Sequence, residues 1–251
     1  MRPESLYLDR SVGYRAGVTL PVQRRRTAKD RILQAADDLF YNEGIHTVGI
    51  DRVIAHAGVA KGSLYYSFTG KDDLVHEYLS HRHGMWAEQV TTGIEGHTDP
   101  RERILAVYDV LGTLFAQPDY RGCAFMNATA EGAPDSIEAQ AAATFRAWVH
   151  NLFLDLAIDT AAADPTQLAR RLVLLYDGAV ATAQMDKAPE AARTARRIAE
   201  LVLDATGIRP RHHRPTRDSA QAPKRTRRTR NPRSLSERSN AQPPAQRDAA
   251  R

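Results

Sequence analysis

Lysine, serine and tyrosine crowd into one short stretch of the chain, AKGSLYYSF at residues 60–68. The Lys61 ammonium can donate to the O6 and N7 acceptors of guanine, and the Ser63 hydroxyl can reach several base edges. Tyr65, Lys71 and the run Arg24, Arg25 and Arg26 suit phosphate oxygens, contacts that fix register without reading sequence. On a helix starting at Lys61, residues Lys61, Ser63 and Tyr66 project outward while Leu64 and Phe68 turn in. The chemistry on offer is donation to an anionic polymer rich in acceptors.

Other reactive residue types are sparse. His76, His81 and His83 lie close together without companion cysteines at a zinc-site spacing, and they read as helix-surface histidines. Cys123 is the single cysteine, so an internal disulfide is impossible, which fits a reducing cytoplasm. It has two readings: a small buried hydrophobe, or a redox-sensing thiol activated by Arg121 two residues away. The sequence carries no Gly-x-Ser-x-Gly elbow, P-loop, dinucleotide fingerprint or His-Glu-x-x-His motif. An enzyme is therefore not expected, nor is a cofactor or metal.

The donors need a scaffold, and the apolar spacing supplies one. After Thr27, a plausible N-cap, Ile32, Leu33, Ala36, Leu39 and Phe40 form the stripe of an amphipathic helix that Gly44 stops. A short helix over residues 50–57 meets Gly58, whose freedom at positive φ suits a tight turn into the Lys61 helix. Val53, Val59 and Leu64 are spaced to pin both to the first helix, the pattern of a helix-turn-helix over about residues 49–68. Breaks follow at Gly70, residues 97–100, Pro118, Pro134, Pro165 and Pro189. Between them run three longer stripes: Phe145, Trp148, Leu152 and Leu156; Leu168, Leu172, Leu175, Tyr176, Ala179 and Ala183; and Ala195, Ile198, Leu201, Val202 and Ala205. No strand alternation is convincing, so the predicted class is all-α.

Charge divides the 251 residues. The formal net charge of +5 sums +4 over residues 1–26, −9 over 27–208 and +10 over 209–251. Residues 1–25 read as a flexible basic arm, and 209–251, with Leu235 their only large aliphatic, as a disordered basic tail. The longest uncharged run is nine residues, well short of the roughly 20 of a membrane span. No apolar N-terminal segment reads as a signal peptide.

Residues 26–86 resemble the DNA-binding domain of the TetR family of transcriptional regulators. The likeness rests on RILQAADDLFYNEG in the first helix, AGVAKGSLYYSF at the turn and recognition helix, and GKDDL at the entry to a fourth helix. It implies base contacts by Lys61, Gly62, Ser63 and Tyr66, and backbone contacts by Tyr65 and Lys71. Three positions depart from the family pattern: Ser67 replaces a histidine, Gly49 replaces the usual Thr or Ser cap, leaving Thr47 or backbone to that task, and Ile54 replaces an alanine.

The resemblance also implies a ligand-binding and dimerisation domain over residues 87–208, and a homodimer through helices at about 165–185 and 189–206. Small residues Ala179, Ala181 and Ala183 would let those helices approach. The segment YRGCAFMNATAEG at residues 120–132 is similar to a motif of some family members at the join of the two domains. Cys123, Met126 and Asn127 with Phe115, Phe145, Trp148 and Tyr176 are candidates to line an effector pocket, or else are ordinary core. The expected function is a sequence-specific regulator, a repressor released from a palindromic double-stranded DNA operator by an unknown small molecule. The basic ends suggest the alternative, a low-specificity nucleoid-type protein.

Overall fold

The structure, a computed structural model, describes residues 26–209, which form nine helices and no strand. The arm at residues 1–25, with Arg24 and Arg25, and nearly all of the tail at 209–251 lie outside the described residues.

Helix α1 (Ala28–Glu43) begins where the sequence predicts. The Thr27 hydroxyl accepts from the Asp30 N–H while Asp30 accepts from the Thr27 N–H, a reciprocal capping box. Gly44 ends it at φ +96°. Helices α2 (Ile50–Ala57) and α3 (Lys61–Ser67) are joined through Gly58 in the left-handed region at φ +60°, and the Arg31 guanidinium donates to the Gly58 carbonyl. Val53, Leu64 and Phe68 are buried and Val59 is half-buried, closing the three-helix unit. No side chain caps α2: the Gly49 carbonyl accepts from Arg52 and Val53, and Thr47 stays exposed in the preceding loop.

Helix α4 (Lys71–Glu95) runs out of this unit into the body. Helices α5 (Pro100–Phe115), α7 (Ile137–Asp159) and α8 (Pro165–Asp186) start at the caps Asp99, Ser136 and Asp164, with proline in the first turn of α5 and α8. Between α5 and α7 sits a short α6 (Ala124–Glu131), and α9 (Ala191–Ala205) closes the order. Helix α8 packs on α7 and α9, and α5 on α4 and α9. Among the described residues no helix is long and apolar enough to cross a membrane.

Two stripes differ from the sequence reading. In α9 the buried face is Ala191, Ala192, Ala195, Ala199 and Leu203, whereas Ile198 and Leu201 point outward. In α8, Ala179 and Ala183 are buried within the subunit, so of the three alanines only Ala181 remains partly open. Both differences have one cause: these helices carry apolar residues on two faces, and periodicity alone does not say which face the subunit keeps.

Candidate functional site

Helix α3 presents one polar face. Lys61, Gly62, Tyr65 and Tyr66 are exposed and Ser63 is half-buried. Tyr66 is 94% exposed, an aromatic ring with nothing to pack on. Lys61 is not free: its Nζ donates to Asp51 Oδ1 at 3.0 Å, and that hydrogen bond and charge raise the lysine pKa. Ser67, the departure from the family pattern, turns back to donate to the Ser63 carbonyl. Lys71 opens α4 beside this face, half-buried, and Arg26 is exposed just before α1.

The short helix α6 is tied to the α3-bearing unit at both ends, within the segment 120–132 that the resemblance places at the join of the two domains, through side chains that no local spacing marks. At its N-terminal flank the Tyr41 hydroxyl donates to the Gly122 carbonyl at 2.9 Å and accepts from the Arg121 N–H at 2.8 Å. Beneath that ring, the Arg82 guanidinium lies 3.9 Å from its centroid and forks onto both oxygens of Asp37. At its C-terminal end Glu131 accepts from the His46 N–H at 2.9 Å. Gly44 lets the two approach: it has positive φ, and a Cβ there would stand 3.0 Å from the Glu131 carboxylate. His46 also meets the buried Glu138 of α7 at 3.2 Å. Burial raises the Glu138 pKa, but hydrogen bonds from its own N–H, Ser136 and His46 outweigh that and leave it below the usual range.

The inner face of α6 forms a cavity wall. An outer chamber of about 710 Å3 and an inner one of about 90 Å3 share Cys123, Phe125, Phe145, Tyr176 and Val180. The outer volume lies in the range of small-molecule sites. Phe125 and Phe145 stack at 4.0 Å between centroids. Of the predicted lining, Cys123, Met126, Phe145 and Tyr176 face these chambers. Phe115 is instead buried against Tyr120. Asn127 turns to the other side of α6, where it donates to the Arg121 carbonyl and accepts from Gln184. Trp148 packs behind, on Phe145 and His83. Arg82, Trp86, Gln89, Tyr120, Arg146 and Asp177 are among the other residues of the walls, and no local spacing marks them because the walls come from segments distant in sequence. Burial pushes the Cys123 thiol up, the opposite of what a reactive thiolate needs.

His83 is not the plain surface histidine of the sequence reading. Its ring meets Phe125, Phe145 and Trp148 edge-on, and burial lowers its pKa below the ordinary 6.5. The folded protein therefore holds it neutral, while the unfolded chain takes up a proton first. Its contribution to stability is full above 6.5 and is lost as pH falls through the lowered value. Denaturant titrations on either side of that pH are expected to show the loss, and His83→Gln to flatten it.

Comparison with known proteins accords with this architecture. The profile for bacterial regulatory proteins of the tetR family matches residues 32–78. The chain is 33% identical over 90 residues to the HTH-type transcriptional regulator LmrA of Bacillus subtilis, covering 36% of this chain and 48% of that protein. It is 32% identical over 97 residues to the HTH-type transcriptional activator FasR of Mycolicibacterium smegmatis, covering 39% and 43%. The matched segment thus spans less than half the length of these curated relatives. The crystal structure of SCO4454, a TetR-family transcriptional regulator from Streptomyces coelicolor, superposes with a TM-score of 0.68 at 34% identity, covering 71% of this chain and 95% of that one. With an exposed α3 on a three-helix unit, a helical body behind it, and a relative matched over nearly its whole length, the chain belongs to the TetR family of transcriptional regulators.

Proposed function

We propose that the protein is a homodimeric, sequence-specific regulator that binds a palindromic operator and is released when a small molecule occupies the α6 cavity. Residues 26–86 are the DNA-binding domain in this reading and 87–208 the effector and dimerisation domain. Its place of work is the cytoplasm, with the chromosome. The observation that carries the reading is the bare face of α3, where Lys61, Gly62, Ser63 and Tyr66 stand with an unpacked tyrosine among them. Side chains so placed read base edges from the major groove. Tyr65, Lys71, Thr47 and the arginines at 24, 25 and 26 hold phosphates.

Release follows from the joint. An occupant that favours a different seat for α6 changes what Tyr41 and His46 hold, and so shifts the spacing of two recognition helices across a dimer. FasR is described as an activator, so the sign of regulation is measured separately, by expression of the bound gene with and without the protein.

The test is selection of bound fragments from genomic DNA followed by footprinting. One protected palindrome is expected, whereas continuous coverage blind to sequence would establish the nucleoid-type alternative. Lys61→Ala is expected to lower the ratio of specific to non-specific binding about tenfold. Neutralising residues 24–26 should weaken all sequences alike and flatten the salt dependence. An unchanged ratio in Lys61→Ala would remove α3 as the reading element.

A further inference from the structure

Among the described residues three buried side-chain polar atoms have no hydrogen-bond partner, and two of them, Trp86 Nε1 and Tyr120 Oη, belong to side chains that line the inner chamber. Trp86 is only 8% exposed, and its N–H leans toward the Tyr176 hydroxyl without reaching hydrogen-bond geometry. A buried donor without an acceptor is costly, and such groups are rare unless something else meets them. An indole N–H can only donate, so what meets it is an acceptor.

Charge narrows the class further. Every charged side chain on the walls of the two chambers is already answered: Arg82 by Asp37, and Arg146 by a bidentate pair with Asp177. An anion entering here would lose its hydration and find no free cation. Apart from the neutral polar side chains Gln89 and Thr129, the remaining wall is aromatic, aliphatic or sulfur-bearing, led by the Phe125–Phe145 stack, and the inner chamber admits only the head of a larger molecule.

We propose that the cavity takes an uncharged, mainly apolar molecule of drug size whose carbonyl-type oxygen enters the inner chamber and accepts hydrogen bonds from Trp86 Nε1 and Tyr120 Oη. Its body fills the outer chamber against α6 and α7. The proposal rests on the effector reading above and specifies the effector's class. Burial holds the hydroxyls of Tyr120 and Tyr176 protonated at neutral pH, so both remain donors.

The experiment uses the full chain and three fluorescent naphthalenes: the neutral ketone prodan, its carbonyl-free parent dimethylaminonaphthalene, and the anionic anilinonaphthalene sulfonate. Prodan is expected to bind saturably, more tightly than the sulfonate. Trp86→Phe and Tyr120→Phe, which keep the rings and remove the donors, should each weaken prodan about fivefold to tenfold, the worth of one hydrogen bond. Neither should change affinity for the parent. Ala142→Trp, which fills the outer chamber, should exclude both neutral compounds. Helical signal and melting temperature check that each variant folds, and Tyr120→Phe, lacking a single atom, keeps the test open if Trp86→Phe does not.

The proposal is overturned if the unsubstituted protein binds no prodan, if the sulfonate binds more tightly in competition, or if both donor-less variants hold prodan as tightly as the original. Release of the selected DNA fragment is measured in parallel. Donor-dependent prodan binding that leaves DNA bound supports the ligand class and defeats release by ligand. Release by an anion with no donor dependence overturns the class and leaves release standing.

Discussion

The double substitution Leu174→Glu and Leu201→Glu is expected to produce a folded monomer whose operator affinity is lower by roughly a hundredfold or more, the loss that follows when two linked half-site contacts become independent. Leu174 is 72% exposed, Leu201 68% and Met185 81%, and they stand on the open sides of α8 and α9. Along α8 the spacing is Leu174, Gly178, Ala181, Met185, a single helical stripe. A side chain at Gly178 would meet nothing, so that stripe is bare at its centre and admits a close-packed helix. Along α9, Ile198 and Leu201 extend the apolar area.

Each leucine buried across a two-fold gains roughly 1.5–3 kcal/mol, and each occurs twice. Glutamate at both sites replaces that gain with buried like charge. Neither leucine belongs to the subunit's own core, so helical signal should persist. Sedimentation at micromolar concentration and operator titration are the measurements. A dimer that survives the substitution would remove α8 and α9 as the interface.

Arg82→Ala is expected to lower stability by about 3 kcal/mol, the lower end of the range for removing one partner of a buried pair. The pair is mostly shielded, and Arg82 also covers the Tyr41 ring, so the change strands the Asp37 carboxylate and uncovers an aromatic. In a body of this size the melting temperature should drop by roughly 6–12 °C. Asp37→Ala should cost nearly as much and the double variant little more, because the two act as a unit. Arg82→Lys should recover only part, since an ammonium cannot fork onto both oxygens or lie flat on the ring. Additive losses in the double variant would show that Arg82 and Asp37 contribute separately.

The parts legible in the sequence were those written locally. Thr27 three residues before Asp30, Gly44 after an apolar stripe, and Gly58 between two short stripes each announce a cap or turn from within one helical turn. The exposed row of α3 followed from Leu64 and Phe68 being inward. What stayed hidden was written at a distance. Tyr41 and Gly122 are 81 positions apart, and His46 and Glu131 are 85 apart, with no periodicity linking them. Three of seven proposed pocket residues, Phe115, Asn127 and Trp148, belong to the right helices but to other faces of them. Aromatic type alone does not distinguish a ring that packs behind a wall from one that makes it. His83 hides for a related reason: the rings around it come from α6 and α7 and lie far from it in sequence.

The joint at α6 also sets a ceiling. Two neutral hydrogen bonds at Tyr41 and one to the Glu131 carboxylate are together worth roughly 3–6 kcal/mol per subunit. A cavity occupant that unseated α6 entirely would have to bind the unseated form better by that whole amount, whereas couplings between sites usually reach 1–3 kcal/mol. Most occupants will therefore lean on the joint without opening it. If the cavity takes an effector as proposed, response grades with how well the occupant fits, and the ties that seat α6 bound how far it can go.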